Sequence, residues 1–474
     1  MGLCVSADIG STWTKAALFD MGENPPAVLR QANLPTTQDD LSRAFSDAVR
    51  SLFDLPSDAS LSRLPERAAL YVSSSAKGGL SIAAIGVVPD LTVKVARLAA
   101  ASAGGRITAW YAYRLTASQA GEIERMRPDI VLLCGGTDGG NERHLRANAR
   151  TLAASNIDSS VLYAGNASLG DEMREILGNG RVTVTENVMP EVGLLNIEPA
   201  RAAIRELFLR RIVEGRGLRK IRELCAADPK PTPLAVYELL ETLADRMPDW
   251  TDAALVDMGG ATTDVYSHCR AFRGEEGTVL RGLTEPVLTR TVEGDLGLRV
   301  SAEATAETGR QYISRRLAEA GASAEAFSSW VERASRSPET IAATVEELLF
   351  DRTLAEACLY HALIRHAGTM EETWTPGGKV RVQHGKDLRR VRRLVASGGW
   401  LARAADPQVL LRALDAARRD SGGTSLVPED PEMLADTRYL LTLLGNLAAD
   451  HPAEAAALAA ASLDRPADTP GRRT

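Results

Sequence analysis

The sequence predicts an α/β protein of two lobes with an additional α/β region. Three observations carry this. An apolar strand, an aspartate, a turn of glycine and hydroxyl residues and a second strand follow one another at the start of the chain, and the same series returns at 253 to 267. From about 80 to 250 apolar strands alternate with helical patterns, the order that builds a parallel sheet covered by helices. The 474 residues, 45% of them hydrophobic, are enough for roughly two to four domains with sizeable cores. The boundaries expected are a first lobe over 1–79, an inserted or elaborated α/β region over 80–250, a second lobe over 251–465 and a disordered tail over 466–474.

Leu3 to Ala7 reads as a strand, Asp8-Ile9-Gly10-Ser11-Thr12 as a polar turn, and Thr14 to Phe19 as the returning strand. A helix is expected from Gln38 to Leu52, then a strand from Ala68 to Ser73 and a Ser/Gly-rich loop that contains Lys77. Helices follow near 90–103 and over 117–126, and the strand Ile130 to Leu133 opens into Gly135-Gly136-Thr137-Asp138-Gly139-Gly140-Asn141. That loop leads to a helix over 142–154, the strand Val161 to Ala164 and a helix over 168–177. Amphipathic helices over 199–214 and 233–246 precede the second glycine turn, 301–373 is helix-rich, and Leu394 to Ala405 reads as strand, glycine turn and helix. No repeat of fixed period is visible, which excludes a solenoid.

Charge and cysteine usage narrow the function. With 55 Lys and Arg against 62 Asp and Glu, the net charge of −7 gives no reason for binding nucleic acid or an acidic membrane surface. The aromatic residues Trp13, Trp110, Tyr111, Tyr113 and Trp400 are not spaced as a stacking platform for bases and read as packing residues. The five cysteines show no CxxC and no pairing with histidine at metal spacing, so the chain reads as a reduced, cytoplasmic protein without a zinc site. No stretch reads as a membrane span. The run from Lys379 to Arg393 either docks an acidic partner or phosphate or forms a solvated face.

The two hairpins carry the chemistry. In Asp8-Ile9-Gly10-Ser11-Thr12-Trp13-Thr14-Lys15 and Asp257-Met258-Gly259-Gly260-Ala261-Thr262-Thr263-Asp264, the glycines let backbone approach a phosphate and successive amides form an anion-binding concavity. Hydroxyls donate to phosphate oxygens, and a strand-end Asp suits hydrated magnesium. One hairpin alone is also an ordinary polar turn, whereas two copies about 250 residues apart fit a nucleotide that takes a phosphate loop from each lobe. Lys15 either adds a charge at those phosphates or faces solvent, since strand alternation alone does not settle its side. Glu293 and Asp295, in Thr291-Val292-Glu293-Gly294-Asp295-Leu296-Gly297, read either as carboxylates that activate water or contact nucleotide and magnesium, or as a polar turn. The 135–141 loop reads either as a second ligand loop at the end of a parallel strand or as a tight turn capped by Asn141.

The hairpins resemble the two phosphate loops of the actin, Hsp70 and sugar-kinase ATPase superfamily, and Val395-Ala396-Ser397-Gly398-Gly399-Trp400-Leu401 resembles its adenosine motif. The strings DIGSTWTKAALFD, LLCGGTDGGN, VDMGGATTDVYS, RTVEGDLGLR, HGKDL and VASGGWLAR, in that order, resemble the accessory, or L, component of adenosylcobalamin-dependent glutamate mutase, over residues 2 to about 455. That family is unrelated to the mismatch-repair protein of similar name. One departure is Ala396-Ser397, where relatives more often have Gly-Thr. The resemblance implies a two-lobed actin-like, ribonuclease H-like fold, ATP and Mg2+ as cofactors, and a chaperone-like role in reactivating an adenosylcobalamin-dependent mutase, whose subunits would be the partners. It further implies that Asp8 and Asp257 place magnesium and the attacking water, and Glu293, whose loop is one of the family's strings, is expected as a catalytic carboxylate. Gly10, Ser11, Thr12, Lys15, Gly259, Gly260, Thr262, Thr263 and Asp264 would bind the phosphates, and Gly398 and Gly399 the nucleoside. Two other readings stay open: a small-molecule kinase of the same superfamily, and a nucleotide-binding scaffold without turnover. No GxGxxG follows a strand and no GxxxxGK[ST] occurs, which sets aside a Rossmann dehydrogenase and a P-loop enzyme.

Overall fold

A computed structural model describes residues 2–37, 39–61, 68–75, 80–213, 218–270, 277–376, 378–402 and 408–465 of the chain. The expected tail over 466–474 and Lys77 lie outside the described residues. The chain forms two units, Met1–Tyr237 with Gly282–Thr284, and Glu238–Arg281 with Glu285–Thr474.

In the first unit, β1 (Leu3–Ile9), β2 (Trp13–Asp20) and β3 (Ala27–Pro35) form an antiparallel meander, and β4 (Ala69–Ser74) joins β1 in parallel. Val5, Ala7 and Ile9 alternate onto one face, where they meet the helix Leu41–Leu52. That helix starts at Asp40, whose carboxylate accepts the Ser42 amide, and it buries Leu41, Ala44, Phe45, Ala48, Val49 and Leu52 at helical spacing. Burying each such large apolar side chain stabilises the unit by about 2 kcal/mol.

A separate parallel sheet follows: β5 (Leu80–Gly86), β6 (Gly105–Ala112), β7 (Ile130–Leu133), β8 (Ser160–Tyr163) and β9 (Val182–Val184), in the order β6-β5-β7-β8-β9. Its strands are apolar on both faces because both are covered. Ile82, Ala84, Ile130, Leu132 and Leu162 pack on the helices Lys94–Ser102 and Glu198–Val213. Their neighbours Ala83, Ile85, Val131, Leu133 and Val161 pack on Ala117–Met126, Arg143–Ala153 and Gly170–Leu177. The chain then returns to the first sheet, where β10 (Lys230–Pro231) pairs with β4 in parallel and completes the order β10-β4-β1-β2-β3.

The second unit repeats the plan. Its strands are β11 (Ala253–Met258), β12 (Thr263–His268), β13 (Thr278–Arg281), β14 (Leu288–Glu293), β15 (Thr369–Thr375), β16 (Gly378–His384), β17 (Arg393–Ser397) and β18 (Glu432–Ala435). β11, β12 and β14 run antiparallel while β17 and β18 continue parallel to β11, in the order β14-β12-β11-β17-β18. Ala254, Val256 and Met258 face a core built on the helices Val345–His366 and Gln408–Asp420. An antiparallel meander followed by two parallel strands is the ribonuclease H-like plan. Its presence in both units makes this the actin-like α/β fold that the sequence predicts, with the parallel sheet as the additional region.

The small sheet β13-β16-β15 was not anticipated, and it replaces helix over 369–373. β13 and β15 are largely exposed, and in β16 Val380 and Val382 alternate with charged residues inside the basic run, where the sequence reads as charge rather than as a strand. No helix among the described residues is long and apolar enough to cross a membrane.

Candidate functional site

Each unit offers a hairpin of the same geometry. In the first, the Gly10 amide donates to the Trp13 carbonyl at 3.0 Å; in the second, the Gly259 amide donates to the Thr262 carbonyl at 2.8 Å. Asp8 lies across the ladder from Lys15, and Asp257 from Asp264. Residues directly opposed in a ladder share a face, so Lys15 stands on the side of Asp8, the point left open by strand alternation. Neither aspartate faces the core side of its strand, which Val5, Ala7 and Ile9 occupy in β1 and Ala254, Val256 and Met258 in β11.

Register extends both pairs into rows across the sheets. In the first unit the row runs Lys15, Asp8, Ser73 and Lys230, on β2, β1, β4 and β10. Asp8 is only 1% exposed, and its Oδ1 accepts the Ser73 hydroxyl at 2.8 Å and the Thr232 hydroxyl at 2.5 Å. Lys230 is 5% exposed. In the second unit the row runs Asp264, Asp257 and Ser397, and the Ser397 hydroxyl donates to buried Asp436 at 3.1 Å. One backbone plan therefore carries lysines flanking the aspartate in one sheet and carboxylates flanking it in the other.

The turn carbonyls of both hairpins are tied back into the protein. Thr36 donates its hydroxyl to Gly10 O at 2.9 Å and its amide to Thr12 O at 2.9 Å. In the second hairpin Gly259 O accepts the Leu298 amide, Gly260 O the Arg299 amide, and Ala261 O the Ser301 hydroxyl at 2.7 Å. Gly297 permits this strap, since a Cβ there would stand 2.7 Å from Gly260 O. With the carbonyls taken, and no acceptor for the Gly260 and Ala261 amides among the described residues, the second turn presents donors, which is the chemistry of an anion concavity.

The predicted residues divide between the faces. Ser11, Thr12 and Thr262 are half-buried at the tips. Thr263 is fully buried on the core side, where its hydroxyl donates to Leu296 O at 2.9 Å, and Glu293 lies opposite it in the ladder rather than beside Asp257. Arg365 holds Glu293 at 2.8 Å and Asp295 through two bonds. Burial pushes the Glu293 carboxyl above its ordinary value against the pull of Arg365, whereas the Arg365 hydrogen bonds hold Asp295 below its own. Asp264 is committed to Arg290, at 2.7 and 3.1 Å with side chains 9% and 2% exposed, and the same guanidinium lies over the Tyr266 ring. Gly398, at φ +120°, sits where a Cβ would collide with the Met258 carbonyl, so the Gly398-Gly399 turn abuts the second hairpin.

Among the described residues no group of three or more His, Cys, Asp or Glu is placed to hold a metal. Magnesium takes one or two carboxylates with water and phosphate oxygens; Asp257 stands half-buried near the end of β11, whereas Asp8 is buried with one carboxylate oxygen already accepting two hydroxyls. The 135–141 loop is held from within: the Gly139 amide donates to Asn166 Oδ1 at 3.0 Å, and Asn187 Nδ2 donates to Gly136 O at 3.0 Å and Asp138 Oδ1 at 2.8 Å. In the basic run, Lys379 pairs with Glu372, Arg389 with Asp387 and Arg393 with Glu432. Lys230, Ser73 and Thr232 were missed by sequence reasoning; the rarity of lysine in this chain was the available signal for Lys230.

Comparison with known proteins adds the following. A family model described as MutL protein matches residues 4–463. Protein MutL of Clostridium tetanomorphum is 37% identical over 455 residues, 94% of this chain and 96% of that protein. Among solved structures, a glycerol dehydratase reactivase covers 94% of this chain and 99% of its own at 10% identity and a TM-score of 0.36. A diol dehydratase-reactivating factor in nucleotide-free form covers 95% and 100% at 10% identity and a TM-score of 0.36. Xylulose kinase from Bifidobacterium adolescentis covers 99% and 95% at 11% identity and a TM-score of 0.33.

Proposed function

The chain belongs to the MutL protein family, and from that membership we propose that it is an ATP-binding, ATP-hydrolysing accessory protein that keeps an adenosylcobalamin-dependent mutase, glutamate mutase or a related aminomutase, competent. The observation that carries the nucleotide part is the paired hairpin: the same amide-to-carbonyl closure and the same strand-end aspartate in both units. In this reading Ser11, Thr12, Thr262 and the turn amides hold phosphate oxygens, and Lys15 adds a fixed charge beside Asp8. Asp8 and Asp257 would hold magnesium, which supplies charge neutralisation of the phosphates when bound. The chain's own part is to orient an attacking water and to keep preformed donors aimed at the phosphates, so catalysis is positioning and electrostatics rather than covalent chemistry. Gly398 and Gly399 take the nucleoside.

The experiment is magnesium-dependent ATP turnover by the purified protein, alone and with a mutase whose cobalamin has been inactivated. Stimulation by the damaged mutase supports the reading. Turnover that ignores the mutase and responds to a small-molecule acceptor makes the protein a kinase, and binding without turnover makes it a scaffold.

A further inference from the structure

Two loops of the second unit serve the nucleotide in the reading above, the 259–262 turn and the Gly398-Gly399 turn, and one carboxylate is bonded to the support of both. Asp351 lies on the helix Val345–His366 and is 3% exposed. Its oxygens receive both arms of the Arg299 guanidinium, at 2.7 and 2.9 Å. The Trp400 indole N–H donates to the same carboxylate at 2.9 Å. Arg299 belongs to the strap behind the phosphate turn, since its amide donates to Gly260 O at 2.9 Å. Trp400 directly follows the glycine turn and packs its ring on the main core of the unit. The guanidinium is fixed further by Leu298 O at 2.6 Å and Thr340 O at 3.1 Å.

We propose that Arg299, Asp351 and Trp400 form a positioning strut that sets the Gly398-Gly399 turn against the 259–262 hairpin and so fixes the separation at which a nucleoside and its phosphates are held together. The inference rests on the nucleotide reading. A bidentate guanidinium–carboxylate pair has one low-energy geometry, unlike a lone ammonium contact, so the fork fixes an orientation as well as a charge. The two outer members act on different ends of the ligand. Loss of the indole bond releases the nucleoside side alone. Loss of the fork loosens the strap and with it the phosphate side.

The test is calorimetric titration of the full chain with ATP and, separately, with inorganic tripolyphosphate, both with magnesium. Trp400→Phe is expected to weaken ATP about fivefold and to leave tripolyphosphate at the wild-type affinity, a loss on the scale of one hydrogen bond. Arg299→Lys, which keeps the charge and removes the fork, is expected to weaken both ligands by a similar factor. A strut is ruled out if Trp400→Phe weakens both ligands equally or neither, or if Arg299→Lys affects ATP alone. Failure of the wild type to bind ATP at all is a separate outcome, which overturns the nucleotide reading and this proposal with it. Should Trp400→Phe not fold, the Arg299→Lys pattern still decides.

Discussion

Lys15 and Asp264 hold the same place in two hairpins of the same backbone geometry, each directly across the ladder from a strand-end aspartate, and they carry opposite charge. Asp264 is neutralised by Arg290, which leaves Asp257 as the row's carboxylate on β11. The two units thus carry a lysine-flanked and a carboxylate-flanked version of one frame.

If those rows serve ATP, Asp8→Ala and Asp257→Ala should each lower magnesium-dependent turnover by about 100-fold or more, the scale seen when one preorganised group of a transition-state clamp is removed. Steady-state phosphate release checks this. Unchanged turnover in both variants would sink the ATPase reading.

Arg290→Met should destabilise the second unit by about 3–5 kcal/mol, because it strands the buried Asp264 carboxylate without its partner. The double variant Arg290→Met with Asp264→Leu should recover most of that loss, since both charges then leave together. Chemical denaturation of the three proteins measures it, and equal instability of single and double variants would show that the pair matters for shape rather than charge.

Gly398→Ala should lower the melting temperature and cost about 2 kcal/mol or more, through the collision with Met258 O and the strain at a positive φ. Gly139→Ala is the control: it shares a positive φ but meets nothing within 4 Å, so it should cost less. Thermal unfolding of the two variants separates contact from strain.

The buried His366 makes stability depend on pH. Burial first, and the Lys386 ammonium second, lower its pKa from 6.5 to about 3, while its ring nitrogens bond Thr291 at 2.9 Å and Ser267 at 2.8 Å. Between those two values the unfolded chain binds more protons than the folded one. The contribution is therefore complete above 6.5 and is lost as pH falls toward 3, at up to about 1.4 kcal/mol per pH unit. His366→Gln should flatten the stability curve in that window, and an unchanged slope would assign the acid sensitivity to other groups.

What the sequence revealed of the site was the part written in local order. Asp, glycine and hydroxyl residues at fixed spacing announced both hairpins, and the Gly398-Gly399 turn was visible for the same reason. Lys230 was not, because it reaches the row only through parallel pairing of β10 with β4, and Lys230–Pro231 is too short to leave a strand pattern. Thr263 was read with its hydroxyl neighbours as a phosphate ligand, yet strand alternation turns it to the core, where its hydroxyl donates to Leu296 O. Trp400 read as a packing residue and does pack, but its indole N–H also finds Asp351, a pairing between distant segments that no local pattern announces. Of the fold, the parallel sheet was legible from its apolar runs, whereas β15 is exposed along most of its length and the alternating Val380 and Val382 of β16 lie within the basic run.

The late return of β10 has a consequence for synthesis. Asp8 leaves the ribosome well ahead of its Thr232 partner and of the edge strand beside Ser73, which arrive only after the whole parallel sheet has been translated. That sheet is contiguous in the chain and can fold while the first sheet is still open at β4, in keeping with domain-by-domain folding during translation. The first sheet is thus begun before the parallel sheet and completed after it, and a truncation before residue 230 would leave a well-packed guest in an unfinished host.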